Sequence, residues 1–472
     1  MAGWERLQET VRLELIQRME EGCRAGELAD RLAAAGQDET LLMKVYHELM
    51  ALEVAEDFPY DEPSSLGEIR RLRPEGPRRL RAEWSAAQWR DKFRGAWLGR
   101  SAGCALGKPL EYLDYLYGKD GRPGWENVEL WFRGADAWPI TGYTPLHSRA
   151  EAEHGLGLND WAPGQLSTRE KIRFMESDDD IRYTILGLLL LEQKGLDWDS
   201  WDVGKLWHGQ LTYAQVCTAE TQAYMNFAQE TSHLHGDKPA DWPLRQERVR
   251  MHLNPYREWI GAAIRADGLA YGAAGNPELA AELGWRDASF SHVKNGIYGE
   301  MLNAAMISAA FAEQDNARIL EIGLSEIPRT SRLAADVQRG IEIALSAGSE
   351  RELVRRIWDS FSHYDPVHTN NNAALVAATL TYAGDDFEKA IATAVYGGMD
   401  TDCNGATVGS IMGAKLGASQ LPASWIEPLN DTLYADLPGF HPLSISECAE
   451  RSYQVFLKLR GELEAKESGS QQ

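Results

Sequence analysis

The sequence predicts an all-α fold, and two observations support this prediction. Apolar residues recur at helical spacing in successive segments separated by loops rich in Gly, Pro, Asp and Asn, and long alternating stretches of β-branched residues are scarce. We predict core helices over 85–104, 180–194, 210–230, 259–272, 276–287, 296–313, 334–347, 349–361, 372–383, 385–396 and 405–418. At 472 residues, the chain is long enough for one large domain and a smaller appendage.

The first 83 residues are predicted to form the appendage. Apolar positions between residues 4 and 55 fit three short amphipathic helices, and a connector rich in proline and arginine follows over 59–81. We therefore divide the chain into a small helical module with its connector, 1–83, and a main all-α domain, 84–465. The acidic balance favours a packing or dimerisation module over a DNA-reading helix-turn-helix, so a homodimer is an expected partner arrangement.

Composition excludes several function classes. The net charge of -23 opposes binding to a nucleic-acid polymer, which needs clustered basic residues. Five cysteines without a CxxC pair fit a reducing compartment, which predicts a cytoplasmic protein. The longest apolar run, 185–191, is too short to cross a bilayer, so no membrane role is expected.

Two acidic clusters stand out, and each opens an apolar helix. The first is Ser177-Asp178-Asp179-Asp180, and the second, more than 200 residues later, is Asp400-Thr401-Asp402. Carboxylates held this close repel one another unless water or a cation lies between them. Oxygen ligands of this kind suit Mg²⁺ or Mn²⁺, although the same residue types are also the preferred helix caps.

Two glycine stripes flank these clusters. Glycines at 95, 99, 103 and 107 lead to Glu111, and glycines at 405, 409, 413 and 417 follow the second cluster. Because an interior glycine costs a helix about 1 kcal/mol relative to alanine, a stripe of four predicts that another backbone packs very close to it.

The segment 112–176 is rich in Gly, Trp and Pro and predicts a long stretch without regular structure. Such a stretch either covers a substrate or is an insertion without a role in the site.

Three motifs in this order resemble the ADP-ribosylglycohydrolase family, which includes the dinitrogenase reductase-activating glycohydrolases. They are 103–111 (GCALGKPLE), 177–180 (SDDD) and 398–403 (GMDTDC), and the resemblance runs from about residue 90 to 460. Segments 254–255, 264–267 and 290–292 also resemble the family's substrate-contacting segments. The resemblance implies a fold of orthogonally packed helices with a binuclear Mg²⁺ or Mn²⁺ centre at the base of a cleft.

The resemblance also assigns roles to individual residues. The implied metal ligands are Ser177, Asp178, Asp179, Asp400, Asp402 and Cys403. The implied catalytic residues are Asp179 and Glu111, and the implied substrate-binding residues are His292, Asn372 and Gly398.

Four positions depart from the family pattern. Cys104 stands where the family commonly has an aspartate, Asp180 where it has a threonine, Met399 where it has a glycine, and Cys403 where it has a threonine ligand. A neutral thiol is a poor ligand for a hard cation, so Cys403 predicts weaker binding of one ion or its binding through more water.

The sequence thus predicts a metal-dependent hydrolase that cleaves the N- or O-glycosidic bond of an ADP-ribosyl or related ribosyl substrate, either a small molecule or a modified protein. The competing hypothesis is a catalytically silent member of the same fold that binds ADP-ribose or a nucleotide as a sensor.

Overall fold

The computed structural model describes residues 5–160, 164–234 and 236–469, and this part of the chain is almost entirely helical. The α-helices are α1 (Leu7–Glu20), α2 (Glu27–Ala35), α3 (Glu39–Met50), α4 (Leu66–Leu72), α5 (Ala86–Gly107), α6 (Leu113–Leu116), α7 (Gly124–Gly134), α8 (Ala150–His154), α9 (Asp179–Lys194), α10 (Ser200–Gln210), α11 (Thr218–Thr231), α12 (Trp242–Met251), α13 (Ala266–Gly272), α14 (Pro277–Ala288), α15 (Lys294–Ala310), α16 (Asn316–Leu324), α17 (Arg332–Ser346), α18 (Glu350–Phe361), α19 (Thr369–Ala383), α20 (Phe387–Tyr396), α21 (Thr401–Leu416), α22 (Ala423–Ile426) and α23 (Ile445–Gly469). Short 3-10 helices cover Lys108–Leu110, Tyr213–Gln215, Ser232–Leu234, Ile260–Arg265, Ala418–Gln420 and Glu427–Leu429. The strands β1 (Thr432–Leu433) and β2 (Leu443–Ser444) pair antiparallel. The all-α prediction is confirmed.

Helices α5 and α21 form the centre of the main domain. They run antiparallel, and a Cβ atom built on Gly99 would lie 2.1 Å from the carbonyl oxygen of Gly409. The contact is reciprocal, since a Cβ on Gly409 would lie 2.1 Å from the carbonyl oxygen of Gly99. The two glycine stripes therefore pack against each other, which confirms the close approach that their spacing predicts.

The N-terminal helices α1, α2 and α3 share a small apolar core of their own, formed by Val11, Leu15, Ala25, Leu28, Leu32, Ala35, Leu42, Val45, Tyr46 and Leu49. Leu28 and Leu32 lie one turn apart on α2, as the amphipathic pattern requires. The three predicted N-terminal helices are thus present in the structure. The division at residue 83 stays a prediction.

Buried ion pairs fix α1 on the main domain. Arg257, which is fully buried, donates to both oxygens of Glu14 at 2.7 and 2.9 Å and to Glu21 at 3.0 Å. Gln17 donates to Glu258 at 2.7 Å. Because removing one partner would strand a buried charge, these pairs specify how the module docks.

The connector lies along the main domain and does not hang free. The amide of Asp61 donates to the carbonyl of Thr330 at 3.1 Å, and the amide of Leu80 donates to the carbonyl of Gly275 at 2.8 Å. Helix α4 interrupts the connector and buries Ile69. The connector, which follows the module in the sequence, therefore also helps to hold α1 in position on the main domain.

Glu20, at the end of α1, provides a test of this docking. Burial, followed by the nearby Glu258, raises the pKa of Glu20 from 4.5 to about 8. The folded protein consequently holds a proton that the unfolded chain releases above pH 4.5, so stability falls as the pH rises through this window. We expect Glu20→Gln to remove this loss and to exceed the wild type in stability at pH 9 by on the order of 2 kcal/mol.

Thermal and urea unfolding at pH 5 and pH 9 measures the effect. The same substitution at the exposed Glu53 serves as the control and should leave the pH dependence of the wild type unchanged. A parallel pH dependence in the Glu20→Gln and wild-type proteins would show that Glu20 does not retain its proton in the docked module.

Several predicted helix bounds are wrong. The predicted helix 210–230 begins only at Thr218, as α11, because the polar segment around the 3-10 helix Tyr213–Gln215 precedes it, and α21 begins at Thr401, four residues earlier than predicted. Helices α10, α12, α16 and α23 were not predicted, although α16 carries the apolar residues Ile319, Leu320 and Ile322 at helical spacing, which was an available signal.

The expectation that 112–176 lacks regular structure is also wrong. This segment contains α6, α7 and α8, and α7 buries Trp125, Val128, Trp131 and Phe132 on one face. Spacings of three and four residues between large apolar side chains are the signal of an amphipathic helix. Residues 161–163 lie outside the described residues.

Across the three described ranges, no helix combines the length and apolar character needed to cross a membrane.

Candidate metal centre

The two acidic clusters meet at the centre of the main domain. Asp178 precedes α9 and Asp402 lies in the first turn of α21, yet both offer a ligand atom within a group whose atoms all lie within 4.8 Å of one another. Cys104 and Asp180 complete this group. Asp400, Asp402 and Cys403 form a second group at the same spacing. Asp402 is shared by both groups, so the prediction that the two remote clusters converge is confirmed.

The loop before α21 has a backbone that positions Asp400. Gly398 has φ +67°, and a Cβ there would lie 3.0 Å from the carbonyl oxygen of Tyr115. Met399 follows with φ +59°, in the left-handed region that a side chain rarely occupies. Asn372 holds the loop from the other side, because its Oδ1 accepts from the amide of Asp400 at 3.3 Å and from Asn404 at 2.7 Å.

Gly398 and Asn372 therefore support the loop that carries Asp400. Their implied contact with substrate stays a prediction.

Asp178 is held by two hydrogen bonds, one of which is a buried ion pair. It caps α9 by accepting from the amide of Asp180 at 2.9 Å, and its other oxygen accepts from Nζ of Lys108 at 2.5 Å. Burial alone would raise the pKa of Asp178, but the Lys108 ammonium outweighs it and holds the pKa below its ordinary value. Asp178 is accordingly ionised at neutral pH, as a candidate ligand must be.

Asp180 is neutralised by Arg100. The guanidinium of Arg100 contacts Oδ1 of Asp180 at 3.0 Å and Asp267 at 2.8 Å, and all three side chains are fully buried. Oδ2 of Asp180 has no hydrogen-bond partner among the described residues. This aspartate, which stands in place of a threonine in the family pattern, thus has one oxygen committed and one available.

Asp179, Ser177 and Glu111 occupy the more accessible side of the centre. Asp179 is half-buried, and burial together with Asp178 raises its pKa to about 6. Ser177 accepts from Arg182 at 3.0 Å, and Glu111 accepts from Asn159 at 3.3 Å. Burial raises the pKa of Glu111 well above its ordinary value. Ser177 and Asp179 are not members of either tight ligand group, so their ligand roles stay predictions.

His292 is enclosed by protein. Its ring has no exposed surface, Nδ1 shares a 2.8 Å hydrogen bond with the hydroxyl of Ser291, and Nε2 lies 3.9 Å from Glu220. Burial, followed by Arg265, lowers the pKa of His292, which makes the ring neutral. Contact with substrate would require this surrounding to open, and the implied role stays a prediction.

The donor atoms fit a divalent cation. Asp402 is 1% exposed, and its Oδ1 has no hydrogen-bond partner in the described part of the chain. Buried carboxylate oxygens are almost always paired, so an unpaired one facing other carboxylates indicates a cation between them. Carboxylates suit Mg²⁺ and Mn²⁺, whereas the thiols of Cys104 and Cys403 are softer donors.

Comparison with known proteins identifies the family. The model of the ADP-ribosylglycohydrolase family matches residues 85–458, which is most of the chain. The chain belongs to the ADP-ribosylglycohydrolase family. Among solved structures, an "ADP-ribosylglycohydrolase-related protein complex" matches with 18% sequence identity and a TM-score of 0.46, covering 78% of this chain and 98% of that chain. A search of curated protein sequences finds no match.

Membership in this family indicates a glycohydrolase, and the chain has acidic clusters that could hold a metal ion.

Two residues beside the centre escaped the sequence analysis. Arg100 contacts Asp180 and Lys108 contacts Asp178, and Cys104, which the sequence analysis names, lies between them in the sequence. The three residues are spaced four apart: Arg100 and Cys104 lie on α5 and Lys108 directly follows its end, so they continue one helix face beside the glycine stripe. This four-residue spacing was the signal that could have identified the missed residues. A stripe of two basic residues and a thiol on a central helix does not fit an apolar core.

Cys403 allows a test of the donor set. We expect Cys403→Thr to raise the affinity for Mg²⁺ on the order of tenfold, because a hydroxyl is a harder donor than a thiol. Isothermal titration of Mg²⁺ into the metal-free proteins measures this. Cys23→Thr, at a buried cysteine in the N-terminal module, is the matched control. Unchanged or weaker Mg²⁺ binding by Cys403→Thr would show that this side chain is not a ligand.

Proposed function

We propose that the protein is a metal-dependent glycohydrolase that cleaves the N- or O-glycosidic bond of an ADP-ribosyl or related ribosyl substrate. The observation that carries this proposal is the convergence of Asp178, Asp400 and Asp402 from two remote helix ends. The family match over residues 85–458 gives the reaction class. A substrate screen that includes both classes distinguishes a small-molecule leaving group from a protein side chain.

Two Mg²⁺ or Mn²⁺ ions are the proposed cofactors. Asp178 with Asp402 would hold one ion and Asp400 with Asp402 the other, with Cys403 beside it. Lys108 already supplies one positive charge at Asp178. Bound divalent cations contribute positive charge that stabilises the negative charge developing on oxygen in the transition state.

The chain's own residues would orient the reactants and move the proton. Hydrolysis of a ribosyl bond passes through an oxocarbenium-like state, which a surrounding set of carboxylates stabilises. Asp179 is our candidate for the general base, because its pKa of about 6 lies close to neutral pH and its side chain is partly accessible. Glu111, held by Asn159, is the second candidate for this role.

A turnover screen tests the proposal. ADP-ribosylated protein, ADP-ribosyl-arginine and simple N-ribosides are each incubated with the protein and Mn²⁺, and released ADP-ribose or free base is measured. Release that requires Mn²⁺ and stops with a chelator supports the proposal. Absence of release from every substrate, despite Mn²⁺ binding, would contradict it.

The second candidate is a catalytically silent ADP-ribose sensor. The observation that favours it is the pair of thiols, Cys104 and Cys403, at positions where hard oxygen ligands are expected. Tight binding of ADP-ribose without turnover would identify this function.

We further propose that the protein acts in the cytoplasm, since its five cysteines are unpaired thiols.

A further inference from the structure

The thiol of Cys104 lies among the carboxylates of the metal centre. Cys104 is fully buried on α5, and its Sγ lies within 4.8 Å of a carboxylate oxygen of each of Asp178, Asp180 and Asp402. A structural cysteine behaves as a small apolar side chain, which packs best against other apolar groups. Packing alone therefore does not explain three neighbouring carboxylates. Cys104 is also not among the ligands that the family resemblance implies.

Two of these carboxylates each have an oxygen that no hydrogen bond occupies. Oδ2 of Asp180 and Oδ1 of Asp402 are buried and have no hydrogen-bond partner in the described part of the chain. Both oxygens of Asp178, in contrast, accept hydrogen bonds, one from the amide of Asp180 and one from Lys108. Because an unpaired carboxylate oxygen is costly to bury, the surroundings of the thiol favour a bound cation.

The charges around Cys104 also fit a divalent cation. Four buried carboxylates belong to this cluster and its ion pairs, those of Asp178, Asp180, Asp267 and Asp402. Within the three described ranges, only Lys108 and Arg100 form ion pairs with them. Two positive charges against four negative charges leave an imbalance in a buried region, and a single divalent cation would remove it.

The sulfur atom determines which cation fits best. Carboxylate oxygens alone suit Mg²⁺ and Mn²⁺, whereas a thiolate favours softer cations such as Zn²⁺ and Co²⁺. A thiol binds a metal as the thiolate, so coordination by Cys104 would release its proton to solvent. A donor set of one sulfur and several oxygens therefore selects a different cation from a set of oxygens alone.

We propose that Cys104 is a metal ligand and that, with Asp180 and Asp402, it forms a mixed thiolate and carboxylate position for Zn²⁺ or Co²⁺. The proposal rests on the proposed metal centre and refines it, because the position that Asp178 and Asp402 share then prefers these cations to Mg²⁺. It concerns binding alone and holds whether or not a ribosyl substrate is cleaved.

Titration of Co²⁺ into the metal-free, full-length protein tests this ligand. Cobalt bound to a thiolate shows an ultraviolet charge-transfer band from sulfur to metal, which oxygen ligands do not produce. We expect this band in the wild type and in Cys403→Ser, where the thiol of the second ligand group is removed. The band should be weaker in Cys104→Ser and absent in the double variant Cys104→Ser/Cys403→Ser.

Isothermal titration of Zn²⁺ and Mg²⁺ measures the preference between cations. Cys104→Ser should bind Zn²⁺ about tenfold or more weakly than the wild type and should bind Mg²⁺ at least as tightly. Two matched controls should keep both the band and the Zn²⁺ affinity. They are Cys448→Ser, at a fully buried cysteine outside the ligand groups, and Cys217→Ser, at an exposed cysteine. Cys104→Ala replaces Cys104→Ser if the serine variant fails to unfold cooperatively.

Two results overturn the proposal. One is Co²⁺ binding to the wild type without the charge-transfer band, which means that only oxygen atoms coordinate the ion. The other is a band and a Zn²⁺ affinity that the change at Cys104 leaves as they are in the wild type. If no divalent cation binds, the proposed metal centre fails as well. A band that requires Cys104, in a protein that cleaves no ribosyl substrate, supports the ligand and contradicts only the glycohydrolase function.

Discussion

Gly99→Ala is expected to destabilise the protein by about 3 kcal/mol or more, the upper end of the range for overpacking. The new Cβ would lie 2.1 Å from the carbonyl oxygen of Gly409, whereas real Cβ contacts below 3.0 Å are essentially never seen. The atom in the way belongs to a helix backbone, so no side-chain rotation relieves the contact. Helices α5 and α21 would have to separate.

Chemical denaturation of the purified variant measures this loss. Gly67→Ala is the matched control, because Gly67 lies in the exposed helix α4 and a Cβ there has nothing within 4 Å. This control should be neutral or slightly stabilising, since alanine is the better helix former. Equal stability of Gly99→Ala and Gly67→Ala would contradict the packing described for α5 and α21.

Gly99→Ala should also weaken metal binding. Lys108 follows the end of α5, and Asp402 lies at the start of α21, so a separation of the two helices moves the charged groups of the centre apart. Metal affinity in Gly99→Ala is therefore expected to fall even under conditions where the variant remains folded.

Asp400→Asn is expected to reduce turnover by about a hundredfold or more, because it removes a candidate metal ligand. It should not destabilise the metal-free protein. Burial raises the pKa of Asp400, which means that its ionised form opposes folding. The neutral amide therefore matches or exceeds the carboxylate in stability when a chelator is present.

Thermal unfolding with a chelator and with Mn²⁺ separates the two effects. The wild type should be stabilised by Mn²⁺ and the variant should not, because a ligand that binds only the folded state raises the unfolding temperature. Asp359→Asn, at an exposed surface pair, is the control and should respond to Mn²⁺ as the wild type does. An unchanged Mn²⁺ response in Asp400→Asn, or a parallel loss of helicity and activity, would contradict its role as a ligand.

Much of the central architecture follows from local sequence signals. The spacing of glycines on α5 and α21 predicts their close packing, and the acidic clusters predict the helix starts at α9 and α21. These signals are readable because each depends on residues within a few turns of one another. Helix α12 escaped prediction because its sequence has few apolar residues, so that the surface against which it packs decides its conformation.

At the candidate site, too, some residues could be predicted from the sequence and others could not. Asp178, Asp400 and Asp402 could be named in advance, since closely spaced carboxylates require an explanation in any folded protein. The partners Lys108 and Arg100 could not be assigned to them. Each lies on a different helix from the carboxylate it contacts, and only packing brings these helices together.

The sequence by itself determined the helical class, the family and the two aspartate clusters, because periodicity, helix capping and motif order are properties of neighbouring residues. Tertiary structure alone decided that Asp402 serves both ligand groups, that His292 is enclosed, and that α1 closes a cavity beside Met399. These features join residues that are remote in the chain. Their distances, charges and burial exist only once the helices have packed.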